Sequence, residues 1–138
     1  MSDLVLDASL ALQWVLEDEA DRKYGLAVLR RLSEERALVP VLWFYEVGNG
    51  LLMAHRRKRI SIDQLDGFVA RLKMLPIDVA PESPSEILEL PIFARSHDLT
   101  NYDAAYLKLA TRANLPLATN DSDLRRAAAS TGVALVSA

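Results

Sequence analysis

The sequence contains no cysteine among its 138 residues and only two histidines, His55 and His97. The lack of cysteine excludes a disulfide framework, a thiol nucleophile, and zinc–thiolate or iron–sulfur sites. Two histidines also argue against a multi-histidine metal cage. The longest unbroken apolar run, residues 38–45, is too short to span a bilayer. No basic segment precedes the first apolar residues as in a secretory signal, so the cytoplasm is the expected compartment.

The chain has little excess of either charge. Sixteen basic and nineteen acidic residues give a net charge of −3, which argues against a protein that coats nucleic acid by bulk charge. Hydrophobic residues at 51% and charged residues at 25% are typical of a globular protein. Because no repeat, low-complexity tract or linker is visible, we expect one domain spanning residues 1–138.

Short apolar runs alternate with helical patterns along the chain. The expected strands are residues 4–6, 37–39, 77–79, 115–119 and 133–136. The expected helices are residues 10–16, 18 to about 36, 41 to about 56, 61 to about 75, 85 onward, 100 onward, and 122–130. This order predicts an α/β fold with a parallel sheet and helices on both faces.

Local signals mark several helix boundaries. Ser61 and Gln64 form the pattern of a capping box. Pro91 predicts an interruption of the helix that begins near residue 85, or a restart with proline in its first turn. Gly48 and Gly50 lie inside an expected helix, where they indicate a local bend or a close backbone approach, for instance across a dimer.

Acidic residues fall where a parallel sheet places its site, beyond the carboxyl ends of the strands. Asp7 directly follows the first expected strand, and Asp121 follows the fourth. Asp103 begins the helix that leads into the fourth strand, and Glu46 lies early in the helix after the second. Asp7, Asp103 and Asp121 also have an ordinary interpretation as helix caps or first-turn acids.

Glu46 is the hardest of these acids to explain structurally. Its neighbours at 41–45 and 47 are all apolar, and no lysine or arginine lies within one helical turn. An unpaired buried carboxylate would cost several kcal/mol or stay protonated. A metal ion or a distant basic partner would resolve this. Clustered carboxylate oxygens favour Mg²⁺ or Mn²⁺ over zinc, and such ions activate water against a phosphodiester.

Four segments in order resemble a known family. They are residues 5–9, then Glu46 with Asn49, then 99–106 with 109–110, and finally 117–121 with Leu124. Together they resemble a PIN domain, most closely the VapC-type toxins of toxin–antitoxin pairs. The resemblance implies a three-layer α/β/α sandwich with a central, mainly parallel sheet. It also implies a Mg²⁺- or Mn²⁺-dependent ribonuclease.

The same resemblance implies roles for individual residues and partners. The implied catalytic and metal-binding residues are Asp7, Glu46, Asp103 and Asp121. The implied supporting residues are Ser9, Asn49, Thr119 and Asp123, of which Ser9 and Thr119 match hydroxyl partners of the acids. The implied partners are an RNA substrate, a cognate antitoxin whose tail masks the site, and a second copy of the chain.

Two other functions stay open from the residues. A haloacid-type phosphatase also places an aspartate after its first strand, but it expects a second one two residues later, where this chain has Ser9. A catalytically inactive PIN-like module would bind RNA or protein without cleaving. We interpret His55 and His97 as solvated or capping residues. The basic run 56–59 is a solvated helix end, or else contacts RNA phosphates or an acidic antitoxin segment.

Overall fold

The computed structural model describes residues 1–17 and 22–137. The strands are β1 (Leu4–Leu6), β2 (Ala37–Val39), β3 (Ile77–Val79) and β4 (Leu117–Ala118). The helices are α1 (Ala8–Val15), α2 (Arg22–Arg31), α3 (Leu42–Arg56), α4 (Ile62–Leu72), α5 (Pro84–Ser96), α6 (Asn101–Ala113) and α7 (Ser122–Thr131). Within these described ranges, none of the helices combines the length and the apolar character needed to cross a membrane.

The four strands form one parallel sheet in the order β3-β2-β1-β4. The chain steps outward from β1 to β2 and β3, then returns across the sheet to β4 on the other side of β1. Because such crossovers are right-handed, the two directions place α1–α4 on one face and α5–α6 on the other. Accordingly α1 packs on α2 and α3, whereas α6 packs on α5 and α7. This confirms the predicted α/β/α architecture.

Strand β1 lies at the centre of the core. Leu4, Val5 and Leu6 are all fully buried. A central strand of a parallel sheet is covered on both faces. For this reason β1 is continuously apolar and does not alternate apolar with polar residues. Each CH₂ removed from water in this core contributes roughly 0.8 kcal/mol. The rigid core therefore fixes the point at which β1 ends, directly before Asp7.

The helix boundaries confirm some predictions and correct others. The Ser61 hydroxyl accepts from the Gln64 amide at 3.1 Å, and the Gln64 side chain accepts from the Ser61 amide at 2.9 Å, which confirms the capping box. The predicted break at Pro91 is wrong, because α5 continues through it. Pro91 and Ile87, one turn earlier, both lie on the exposed side of α5. Water can replace the backbone bond that proline cannot make there.

Two helices end earlier than predicted. Helix α2 ends at Arg31, not near residue 36, because the chain tightens into i→i−3 bonds such as Leu32 N–H to the Leu29 carbonyl at 3.0 Å. Its predicted start at residue 18 lies outside the described residues. Helix α4 ends at Leu72, not near residue 75, for the same reason.

The C-terminal segment differs most from its prediction. Strand β4 contains only Leu117 and Ala118, and residues 133–136 form no strand. They pair with β4 through a single bridge between Leu117 and Leu135. Because β4 is two residues long, it offers too little backbone for a longer ladder.

Gly50 has a structural explanation within the chain. A Cβ atom at Gly50 would lie 2.6 Å from Leu12 Cδ1, so the glycine lets α3 pack closely on α1. Helix α3 is continuous across Gly48 and Gly50, and of the two predicted alternatives the close backbone approach is found at Gly50. Gly48 faces open space.

Candidate active site

Asp7 lies where β1 and β4 end side by side. This is the point at which the strand order reverses, the usual site position in open α/β sheets. The Asp7 side chain is buried, and its Oδ2 accepts hydrogen bonds from Ser9 Oγ at 2.7 Å and from Thr119 Oγ1 at 2.8 Å. Asp7 occupies the N-cap position of α1, but its side chain makes no capping bond. The capping interpretation of Asp7 is therefore wrong.

Asp121 follows β4 and does cap its helix. Its Oδ1 accepts from the Leu124 amide at 2.9 Å. Its own backbone amide donates to Thr119 Oγ1 at 3.0 Å. The fully buried Thr119 hydroxyl therefore links the two strand ends, donating to Asp7 and accepting from Asp121. The Thr119 side chain thus connects the end of the short strand β4 to the end of the central strand β1.

Asp103 lies in the first turn of α6. The Thr100 hydroxyl caps this helix and accepts from the Asp103 amide at 3.1 Å. The fixed first turn places Asp103 in a half-buried position, where a carboxylate is also favoured by the positive end of the helix. The structure therefore confirms the first-turn position of Asp103, and this position is compatible with a role in a site.

Glu46 lies in the second turn of α3. Its partner is a hydroxyl group: Tyr106 on α6 donates to Glu46 Oε1 at 2.5 Å, and Tyr106 is only 1% exposed. Sequence reasoning predicted a metal ion or a basic group at this place and missed Tyr106. The available signal was its position three residues after Asp103, which puts both side chains on one helix face.

Burial and repulsion between negative charges raise the pKa values of Asp7, Glu46 and Asp103. Burial is the largest cause for Asp103, followed by the negative charges of Asp121, Asp7 and Glu46, and together they raise its pKa to about 6. Burial also raises the pKa of Asp7, with a further contribution from Asp121. Burial and then the charge of Asp7 raise the pKa of Glu46. The four carboxylates therefore act on one another across a single edge of the sheet.

Hydrogen bonds oppose this effect at two of the acids. The bonds from Ser9 and Thr119 lower the pKa of Asp7, and the bond from Tyr106 lowers the pKa of Glu46. Hydroxyl donors favour the charged form of a carboxylate. These hydrogen bonds therefore offset part of the effect of burial at Asp7 and Glu46.

Two predicted supporting residues lie further out. Asn49 is exposed on α3, three residues after Glu46 and so on a neighbouring part of the same helix face. Asp123 is exposed on α7, with its Oδ1 3.7 Å from Arg126 Nη2. Its observed partner is a surface arginine.

The histidines and the basic run have local surroundings outside this group. His55 Nδ1 lies 3.2 Å from the Ile60 carbonyl, which ties the end of α3 to the following turn. The ring of His97 packs on Phe93 with ring centroids 4.4 Å apart. Residues 56–59 are exposed.

The donor set fits a hard divalent cation. Asp7, Glu46, Asp103 and Asp121 offer only oxygen atoms, and their mutual repulsion would be relieved by positive charge. Across residues 1–17 and 22–137, however, no three acidic or histidine side chains form a ready-made metal group. Like charges without a counter-ion move apart, so a closed cage is not expected before a cation binds.

The chain is similar to known proteins over most of its length. The family model described as "PIN domain" matches residues 4–130. Ribonuclease VapC1 of Mycobacterium tuberculosis is 34% identical over 128 residues, which cover 92% of each chain. The crystal structure of FitAcB from Neisseria gonorrhoeae covers 97% of this chain and 96% of its own, with a TM-score of 0.64 at 17% identity. VapBC2 from Rickettsia felis, bound to a promoter DNA fragment, covers 96% of both chains, with a TM-score of 0.63 at 14% identity.

Proposed function

Since this chain belongs to the PIN domain family, we propose that it is a metal-dependent endoribonuclease and the toxin of a toxin–antitoxin pair. The observation that carries the proposal is the convergence of acids at the β1–β4 switch point, where burial and then neighbouring negative charges raise the pKa values of Asp7, Glu46 and Asp103. The relative at 34% identity is itself a ribonuclease by name. Hydrolysis of RNA phosphodiester bonds is the reaction that fits such a site.

In this proposal Asp7, Glu46, Asp103 and Asp121 hold Mg²⁺ or Mn²⁺. The bound ion supplies an activated water and stabilises the leaving oxygen of the phosphodiester. Asp7 Oδ2 is held by two hydroxyl groups. This fixes the plane of the carboxylate and leaves Oδ1 as the atom to face a cation.

Asp103 supplies a carboxylate whose charge is sensitive to its surroundings. With a pKa of about 6, it is mostly ionised at neutral pH, and a cation would displace the remaining proton. Its backbone is anchored by the Thr100 cap, so only the side chain has to adjust. Asn49 and Asp123 stand at the rim in this proposal, where they contact substrate or outer water.

A protein partner is supported by an exposed apolar surface on α5. Ile87, Leu88 and Ile92 are 47%, 79% and 75% exposed. A cavity of about 270 Å³ lies between α5, α6 and the start of α3. Such surface is expected to be covered in a complex. We propose that the cognate antitoxin and a second copy of the chain provide that cover, in the cytoplasm where RNA is met.

The test is a cleavage assay with purified protein on RNA and on a small phosphomonoester. We expect RNA cleavage with Mn²⁺, none in excess chelator, and none from Asp103→Asn. The matched control is Asp63→Asn, which removes an exposed first-turn acid from α4. Hydrolysis of the phosphomonoester alone would favour the phosphatase. RNA binding without cleavage would favour the inactive module.

A further inference from the structure

Tyr106 is one of the largest fully buried side chains, and it ends in a hydroxyl group among carboxylates. It lies on α6, and its hydroxyl donates to Glu46 Oε1 on α3, 60 residues away in sequence. The two helices belong to different crossovers on opposite faces of the sheet. This hydrogen bond therefore joins the two layers at the edge that carries the site.

Glu46 needs such a restraint. The adjacent residue Tyr45 is 74% exposed, and Asn49, on the same helix face as Glu46, is also exposed, so water reaches this part of α3. An unrestrained glutamate has several rotamers and would turn its charge toward solvent. The bond at 2.5 Å selects the rotamer that points back into the sheet edge.

The Tyr106 hydroxyl also lies close to the end of β1. Burial is the largest cause of the raised pKa of this hydroxyl, the charges of Glu46 and Asp7 add to it, and the backbone amide of Ala8 opposes it. The group that donates to Glu46 therefore lies near Asp7 and Ala8.

We propose that Tyr106 is a positioning residue, which holds Glu46 in the orientation that lets it bind a divalent cation together with Asp7. This rests on the proposed function. Tyr106 touches neither the cation nor the substrate, and it acts only through Glu46. Groups that orient metal ligands commonly change metal affinity by about 10- to 100-fold when they are removed.

The test measures Mn²⁺ binding by titration calorimetry and by the electron paramagnetic resonance signal of free Mn²⁺. Tyr106→Phe removes one oxygen and keeps the buried ring. We expect its Mn²⁺ affinity to fall about tenfold, with unchanged circular dichroism. The matched control Tyr45→Phe removes an exposed hydroxyl next to Glu46 and should leave Mn²⁺ affinity unchanged. In a Glu46→Gln background, Tyr106→Phe should cause no further loss, because the two residues act as a unit.

Each contrary result has a distinct meaning. Wild-type protein that binds Mn²⁺ and cleaves RNA, with Tyr106→Phe equally tight, would overturn the positioning role and leave the proposed function intact. Wild-type protein that binds no Mn²⁺ would overturn both. If Tyr106→Phe melts too low to assay, Glu46→Asp carries the test, because it keeps the charge but retracts it by roughly 1.5 Å, one C–C bond. Unchanged Mn²⁺ affinity in Glu46→Asp would then contradict the proposal.

Discussion

Replacing Asp103 by asparagine in the metal-free protein measures the cost of a negative charge at this position, which comes first from burial and then from repulsion by the other acids. The pKa of Asp103 is raised from 3.8 to about 6. A shift of about two units corresponds to at most about 3 kcal/mol. Because Asp103 is only half-buried, water screens much of this, and we expect about 1 kcal/mol. The asparagine keeps the shape of the side chain and removes the charge.

The sign follows from proton binding. A carboxyl group whose pKa is raised by folding binds protons more tightly in the folded state. Its contribution to stability is complete below about pH 4 and is lost as the pH rises through about 6. Asp7 and Glu46 are shifted in the same direction and keep part of the slope in the variant. Asp78, with a pKa lowered to about 2, loses its contribution only in more acidic solution.

Denaturant unfolding in chelator at about pH 4.5 and about pH 7.5 checks this. We expect Asp103→Asn to be more stable than the wild type by about 1 kcal/mol at the higher pH and nearly equal to it at the lower. The control Asp63→Asn removes an isolated first-turn acid and should lower stability by a few tenths of a kcal/mol at the higher pH. If Asp103→Asn instead behaves like Asp63→Asn, Asp103 is an ordinary helix acid and the reasoning fails.

Four further outcomes are expected. Mn²⁺ at 100 times its dissociation constant should stabilise the wild type by about 2.7 kcal/mol, and Asp103→Asn less, in thermal melts; equal shifts would exclude Asp103 as a ligand. Thr119→Val should cost about 1–3 kcal/mol in denaturant unfolding, because it breaks the buried link between the strand ends, whereas Ser9→Ala at an exposed residue should cost less. Pro91→Ala should raise stability by about 1 kcal/mol, since it restores a backbone donor in α5; a loss would mean that the ring itself packs. Expression without a partner should slow growth, and Asp7→Asn should relieve this; harmless high-level expression of active protein would argue against a toxin.

Local patterns were sufficient for much of the fold. The alternation of short apolar runs with helical patterns predicted the α/β class, because both kinds of pattern depend only on residues close together in the sequence. The Ser61–Gln64 capping box was readable for the same reason, since its partners are three residues apart. Asp7 and Asp121 were placed correctly at one edge, because the carboxyl ends of parallel strands meet there.

Contacts between distant segments could not be predicted from local sequence patterns. The order β3-β2-β1-β4 puts β4 beside β1, and this alone brings the Thr119 hydroxyl to Asp7. The Tyr106–Glu46 bond joins opposite faces of the sheet, so the spacing of Asp103 and Tyr106 on α6 could indicate that Tyr106 faces the acids but not that Glu46 is its partner. The final segment 133–136 had a strand pattern, yet it pairs at one residue because its neighbour β4 is so short.

The sequence by itself thus determined the order of most helices and strands and which acids stand at strand ends, but not where several of these elements end. These properties depend on side chains within a few positions of one another. Only the tertiary structure decided that Asp7 is held by Ser9 and Thr119 instead of capping α1, and that Glu46 is held by a buried tyrosine. These contacts depend on which side of β1 the chain places each of the other strands and their helices. That choice is made by packing the whole core, and no local stretch of the chain contains it.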